Sequence, residues 1–366
     1  MIRLTSILFF VTCSLSFSYG QQITLVTALQ DSVQETSGLI YLNGRLITHN
    51  DSGGGAILHE LDSISGNVTR SVVIENATNT DWEDLCYDST YIYIADFGNN
   101  HGNRINLRVY RLLISDYFTT PNDTVTADTI LFSYANQTNF TPSLFATNFD
   151  AETLISYGDS LFIFTKNWVN NWTDIYVLPK TPGTYQAEKI DSIDAQGLIT
   201  GGIYNTLSHT ILLSGYISTN PFIVEVSNFT STHFSDGTIN RYMITPPLGG
   251  STQIEGIARS QDNQYYLTAE MTFNGAPALY RLNRPSLNID AIGLNTPRIY
   301  PNPSTSFVQL KGLNFSVVEI YDALGRLQKT AHDQSIWIEG LAKGTYFLVA
   351  KNTLGKTIFT EKMIIQ

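Results

Sequence analysis

Apolar and polar residues alternate one by one in run after run of this chain, as in YIYIAD from Tyr91, LFIFTK from Leu161 and TYFLVAK from Thr345. A period of two puts successive side chains on opposite faces of a β-strand, and no stretch after residue 20 keeps the 3.6-residue apolar period of a helix. The pattern predicts an all-β protein. Five segments share one plan, a short strand, a polar turn and a second strand ending in polar residues. They are TSGLIYLNGRLITHND from Thr36, WEDLCYDSTYIYIADFG from Trp82, AETLISYGDSLFIFTKNW from Ala151, AQGLITGGIYNTLSHTILLSGY from Ala195 and IEGIARSQDNQYYLTAE from Ile254. A polar residue precedes the Leu or Ile pair in each: Ser37, Glu83, Glu152, Gln196 and Glu255. Their spacings of 46, 69, 44 and 59 residues form the loose period of repeats that keep their strands and vary their loops.

Two more strand candidates follow each of the first four segments, for example AILHELD and VTRSVVI, then LRVYRLL and DTILFSY. The fifth offers only ALYRLN, and QITLVTAL near the start of the chain is available to supply its outer strand and close a ring without exposed edges. The prediction is a five-bladed β-propeller over residues 21–294, with six blades as the alternative if the connection between Leu113 and Asp150 hides another. In such a ring the first strand of each blade lines a central channel, so Ser37, Glu83, Glu152, Gln196 and Glu255 should converge on one axis. Buried carboxylates there need water, a donor or a metal.

That convergence suggests chemistry. Three inward carboxylates repel one another and draw in a cation, and calcium suits a chain rich in carboxylates, amides and carbonyls but poor in His and Cys. HNDSGGG and ADFGNN occupy equivalent places after two second strands, so Asp51, Asp96, Glu83 and Asn99 are the expected calcium ligands; the same residues also suit tight turns. Trp82 is read either as a wedge between blades or as a stacking platform for a flat ligand, and Trp168 and Trp172 as rim residues. No nucleophile elbow and no Ser/His/Asp spacing is present, which disfavours a nucleophilic hydrolase.

Composition sharpens this. The chain has 366 residues, with 20 Tyr, 19 Phe and only 14% charged residues, a mix that favours half-buried strands. Residues 21–294 carry 12 Lys and Arg against 27 Asp and Glu, which disfavours nucleic acid as a partner; residues 295–366 carry 8 against 5. Residues 1–20 combine Arg3, an apolar core and small residues before Gln21, the pattern of a secretory signal peptide. Cys13 lies inside it behind Thr12 rather than a lipobox residue, and removal of the segment leaves Cys86 as the sole cysteine.

On the inner-strand Glu, NDSG and DFGNN, the main region resembles the loosely related secreted propellers that include phytase-like and gluconolactonase-like proteins. That resemblance implies a fold and leaves open either a calcium-dependent hydrolase or a protein without enzymatic activity. From Thr296 the text changes to TPRIYPNPSTSFVQL, VEIYDALGRLQK and LAKGTYFLVAKNTLGK, which predicts a small immunoglobulin-like β-sandwich with hairpin turns at Asp322 to Gly325 and Asn352 to Gly355. The order of these motifs over residues 299–366 resembles the type A C-terminal sorting domain of type IX secretion substrates from Bacteroidetes. Pro301, Asn302 and Pro303 match its first motif, Asp322 and Gly325 its second, Gly344 and Tyr346 its third. Ala342 and Gln366 depart from the usual Pro and the usual basic end. The resemblance implies passage through the periplasm, recognition by the type IX translocon, and release or attachment to outer-membrane lipopolysaccharide.

The expectation is a secreted or cell-surface β-propeller that binds a ligand, a glycan or other small molecule. The alternative is a calcium-dependent hydrolase of a phosphoester, lactone or glycan at the channel mouth, with Glu83 or Glu152 as general base and Asp51 or Asp96 on the metal.

Overall fold

In the computed structural model the described residues are 21–366 without 219, 246–251, 261–263, 273–274, 284–297, 312, 314 and 354. The expected signal peptide, residues 1–20, and the expected junction at residues 294 and 295 lie outside them. The chain divides into two compact units, residues 1–284 and 285–366.

The first unit is all-β and propeller-like. Its described strands form five antiparallel four-strand meanders, each built as the alternation predicts. The first runs through Thr36–Leu42, Arg45–Asn50, Ile57–Leu61 and Val68–Ile74; the second through Trp82–Tyr87, Tyr91–Asp96, Leu107–Leu113 and Asp128–Tyr134. Ala151–Tyr157 to Gly183–Ile193 make the third and Leu198–Asn205 to Thr238–Thr245 the fourth. The fifth is Ile254–Arg259, Tyr265–Ala269 and Ala278–Asn283, and its outer strand is Gln21–Ala28, paired antiparallel with Ala278–Asn283. The segment between Leu113 and Asp150 holds a helix, Ile114–Thr119, the two-residue strand Thr124–Val125 and the outer strand Asp128–Tyr134, with no further meander among its residues.

First strands touch first strands around a closed circle, in the order of the chain and with the fifth returning to the first. The core is accordingly divided among the interfaces between meanders. Trp82, Tyr110 and Ile47 fill the one between the first and second, and Phe162, Phe222 and Phe234 the one between the third and fourth.

A shared irregularity fixes what faces the axis. Every first strand slips register near its start, between Thr36 and Leu39, Trp82 and Asp84, Ala151 and Thr153, Ile199 and Gly201, and Ile254 and Ile257. The extra residue of such a bulge re-aims its side chain. The bulged residues are Ser37, Glu83, Glu152, Thr200 and Glu255, all buried. Next after them stand Gly38, Asp84, Thr153, Gly201 and Gly256, and at the last two there is no room for a side chain, because a Cβ on Gly201 would overlap the Glu255 carbonyl and one on Gly256 would lie 2.5 Å from Leu39 and the Ser37 carbonyl. Gly201→Ala is expected to cost about 1–3 kcal/mol by overpacking, read as a lower urea midpoint at unchanged slope; wild-type stability would contradict so tight a circle.

The second unit pairs a three-stranded sheet, Arg298–Tyr300, Phe307–Lys311 and Ser335–Trp337, with a four-stranded one built from Val317–Asp322, Leu327–Ala331, Gly344–Lys351 and Thr357–Ile365. Val308 and Leu310 from the first sheet share one core with Ile320, Leu348 and Met363 from the second. Asn302 ties the entry to the last strand, its Nδ2 donating to the Lys362 carbonyl at 2.7 Å and its Oδ1 accepting from Ile364 N at 2.9 Å. It precedes Pro303 through a cis bond, and Pro301 is exposed beside it. Asp322 caps its hairpin by accepting from Leu324 N and Arg326 N, and Gly325 supplies the positive φ of the turn. Gly344 opens the third strand, and Tyr346 is buried two residues on with its hydroxyl on the Ala342 carbonyl at 2.8 Å.

Candidate functional site

Above the bulged circle lies a cavity of about 240 Å³. Two layers of the fold build it. The bulges contribute Ser37, Glu83, Glu152 and Glu255; in four meanders the residue just past the partner of the pre-bulge residue, at the end of the second strand, contributes Asp51, Lys166, Tyr216 and Glu270. Asn100, Phe145, Trp168 and Gln253 complete the wall.

The cavity is crowded with carboxylates around one buried cation. Lys166 Nζ donates to Glu152 Oε1 at 2.7 Å and sits over the Trp168 and Tyr216 rings at 5.0 and 5.3 Å. Burial alone would lower its pKa, but the Glu152 carboxylate and its neighbours outweigh that and hold the ammonium charged. Glu255 Oε1 accepts from Gln253 Nε2 at 2.7 Å, while its Oε2 is buried without a partner among the described residues. Asp150 is fully buried and satisfied by Asn99 N and Trp168 Nε1, at 2.6 and 2.7 Å. Glu83 is only 2% exposed. Its oxygens rest on Gly98, where a Cβ would overlap both Glu83 Oε1 and Asp81 Oδ2.

Charge so packed resists ionisation. Burial, reinforced by Asp51, Glu152 and Asp81, pushes the Glu83 pKa well above the usual carboxylate range. Burial likewise lifts Asp51 to about 6, Asp81 to about 7, Glu270 to about 7 and Glu152 to about 8, the last despite Lys166. Two triads bring carboxylate oxygens within 4.8 Å of one another, Asp51 with Asp81 and Glu83, and Glu83 with Asp150 and Glu152. Oxygens that share one calcium ion at 2.3–2.6 Å stand no more than about 5 Å apart, so either triad has the span and the oxygen donors such an ion takes.

The expected residues divide. Ser37, Glu83, Glu152, Glu255 and Asp51 come together in the cavity. Gln196 does not: it is exposed on a turn at φ 53, and Thr200 holds the fourth bulge. The GLI after Gln196 mimics the GLI after Ser37, but in the fold it is Thr200 and Gly201 that stand where Ser37 and Gly38 do. Asp96 pairs with the residue before the bulge, in the place of Asn50 rather than of Asp51. One residue of register turns a side chain to the other face. Asp96 therefore meets Arg104 at 2.8 Å and Arg108 at 3.5 Å, and Phe97 fills the cavity-layer position as core. Asn99 is engaged by the Phe149 carbonyl and Arg104 N, and Trp82 is a fully buried wedge against His49 and Tyr110, its Nε1 on the Thr78 carbonyl.

Asp81, Asp150, Lys166, Tyr216 and Glu270 are site residues the sequence reading missed. A signal for two of them existed: DWEDL and DAETL repeat Asp-x-Glu-x-Leu at residues 81 and 150. Asp84 has another task, its carboxylate accepting from Leu85 N and from Leu154 N of the next first strand, both at 2.8 Å, below the cavity.

Aromatic side chains stand at the mouth. Phe145 and Trp168 pack with ring centroids 4.4 Å apart, and Phe145 remains 51% exposed; Trp172, 41% exposed, does not line the cavity. Phe145 holds φ 54, a strained backbone for an aromatic residue, anchored by its N–H on the Asn100 carbonyl at 3.0 Å.

Residues 298–366 match the family described as secretion system C-terminal sorting domain. The chain therefore carries a type IX sorting tail that engages the type IX secretion machinery, and it is exported to the cell surface or secreted. Among the described residues no helix is long and apolar enough to cross a membrane. No curated protein matches the sequence. Solved structures similar to the chain include a PQQ-bound aldose sugar dehydrogenase from Streptomyces coelicolor, 8% identical, covering 72% of this chain and 98% of its own, at TM-score 0.40. A gluconolactonase from Xanthomonas campestris is 14% identical over 68% of this chain and 71% of its own, at TM-score 0.38. A glucose dehydrogenase is 9% identical over 72% and 99%, at TM-score 0.43.

Proposed function

We propose that this exported chain is a five-bladed β-propeller, followed by an immunoglobulin-like sorting domain, whose channel mouth holds a calcium ion and beside it binds a glycan. The observation that carries the reading is the Glu83 carboxylate: buried, crowded by Asp51, Glu152 and Asp81, and common to both carboxylate triads. Such a group costs several kcal/mol if ionised and unpaired. A calcium ion at Asp51, Asp81 and Glu83 removes that cost and leaves coordination positions that hydroxyl oxygens can fill. Phe145 and Trp168 offer faces on which a sugar ring can lie, while Lys166 and Gln253 fix polar groups. The chain's N-terminal segment then acts as its inner-membrane signal peptide, and tail removal is followed by release or attachment to lipopolysaccharide.

Calorimetric titration of calcium into the purified chain tests this. One ion per chain is expected, with Glu83→Gln weakening binding about 100-fold, the scale of losing one buried charged ligand. Absence of calcium binding, or equal binding by Glu83→Gln, refutes it; binding on a glycan array that requires calcium supports the second half.

One feature favours a second reading, a calcium-dependent hydrolase of a phosphoester, lactone or glycan. Glu152, held at a pKa of about 8, would be protonated at neutral pH and suited to act as a general acid beside Lys166. Turnover that is lost both on chelation and in Glu152→Gln selects it.

A further inference from the structure

Around the closed circle each meander sets its bulged residue beside one residue at the end of its own second strand, and the pairs differ in charge. In the third meander Glu152 meets Lys166, an acid against a base at 2.7 Å. In the fifth the same two positions hold Glu255 and Glu270, an acid beside an acid. The backbone shows that the positions correspond: Lys166 N donates to the Asp150 carbonyl at 2.8 Å and Glu270 N to the Gln253 carbonyl at 3.2 Å, each acceptor standing just ahead of the residue before its bulge. Where one meander carries its own ammonium group, the other carries a second carboxylate.

The like-charged pair draws no counter-ion from the cavity wall. Glu255 is 3% exposed; its Oε1 accepts from Gln253 Nε2 at 2.7 Å, and its Oε2 is buried without a partner among the described residues. Burial first, and then the charge of Glu270, pushes the Glu255 pKa well above the usual carboxylate range. Among the described residues Lys166 is the sole cation lining the cavity, and its Nζ is already on Glu152. A calcium ion takes about six to eight oxygens, and Glu255 and Glu270 belong to neither carboxylate triad. An ammonium group asks for less, since a carboxylate or two can accept from its protons. Lys166 shows how this cavity receives one, on a carboxylate and over the Trp168 and Tyr216 rings at 5.0 and 5.3 Å.

We propose that Glu255 and Glu270 are the seat of a ligand's ammonium group, so that the sugar taken at this mouth is an amino sugar. The inference rests on reading the cavity as a glycan site and does not need the calcium ion. The amine lies between the two carboxylates as Lys166 lies on Glu152, and the sugar ring extends toward Phe145 and Trp168 in the wall of the same cavity. A neutral sugar leaves the Glu255 carboxylate with its buried oxygen unpartnered. A sugar acid adds one more carboxylate to Asp51, Glu83, Glu152, Glu255 and Glu270, against the single charge of Lys166.

Calorimetric titration of glucosamine, glucose and N-acetylglucosamine into the purified chain tests it, at pH 7 and in saturating calcium. Glucosamine, the one charged sugar of the three, is expected to bind about tenfold tighter than the other two, the scale of one charge-assisted hydrogen bond. Glu270→Lys, which copies the pairing of the third meander, should erase that preference. Glu255→Gln should erase it too, and decides where Glu270→Lys fails to fold. The proposal is overturned if the three sugars bind alike, an outcome that leaves the glycan reading standing; if none of them binds, it falls together with that reading. It is overturned as well if the preference survives in both variants, or if it is present in a chelator and lost in calcium, which would give the pair to a metal.

Discussion

At pH 9, above the value of about 8 to which burial lifts Glu152, replacing Lys166 by methionine is expected to destabilise the protein by about 3–5 kcal/mol in the presence of a chelator, because it strands Glu152 as a buried carboxylate with no counter-ion. Methionine keeps the length and apolar stem of lysine, so packing against Trp168 and Tyr216 survives while the 2.7 Å ion pair does not. Among the described residues Lys166 is the sole cation lining a cavity that also holds Asp51, Glu83, Glu152, Glu255 and Glu270. Its removal leaves two outcomes for those groups, protonation or recruitment of a metal. Saturating calcium should therefore recover much of the loss by occupying the triad of Glu83, Asp150 and Glu152, and the variant should bind a second ion. Urea denaturation in chelator and in calcium reads both effects. A variant as stable as the wild type in chelator would mean that Glu152 is already neutral and that Lys166 is not its counter-ion.

How far the sequence foretold this site depends on which physical rule places each residue. The strands were legible because alternation is a property of the residues themselves, and even the use of Gln21–Ala28 to complete the fifth meander followed from counting strands. Glu83, Glu152 and Glu255 were legible because each sits at a fixed offset from an apolar pair. Thr200 was not, since its bulge depends on how closely Gly201 must approach Glu255 in a neighbouring strand, a fact of tertiary packing. Asp96 and Asp51 look alike in sequence, yet a single position of register sends one to arginines and the other to the cavity. Lys166 was passed over because an isolated lysine after a strand ordinarily lies in solvent; only the closed circle shows that this place is interior.

The same crowding predicts an inverted pH profile. Without divalent cations the protein should melt highest near pH 5 and lose stability as the pH rises toward 8. In the unfolded chain the carboxyls of Asp51, Asp81, Glu152 and Glu270 titrate near their ordinary values, about 4. In the fold, burial and mutual repulsion raise them to about 6, 7, 8 and 7. Between those limits the native state holds protons the unfolded state has released, so raising the pH favours unfolding. Asp88, lowered by its hydrogen bonds and Lys180 in spite of burial, acts in the opposite sense but only on the acid side, where its contribution is lost as pH falls through its folded value. Lys166, raised, titrates above this window and contributes evenly across it. Calcium competes with those same protons, so its stabilisation grows as they leave. Scanning calorimetry should give a calcium-induced rise in melting temperature of roughly 5–10 °C at pH 8, corresponding to a few kcal/mol, and almost none at pH 5. A melting temperature in chelator that climbs from pH 5 to pH 8 would show that the carboxylates are ionised and accommodated without a metal, and that the cavity is an anion cage balanced by protein alone.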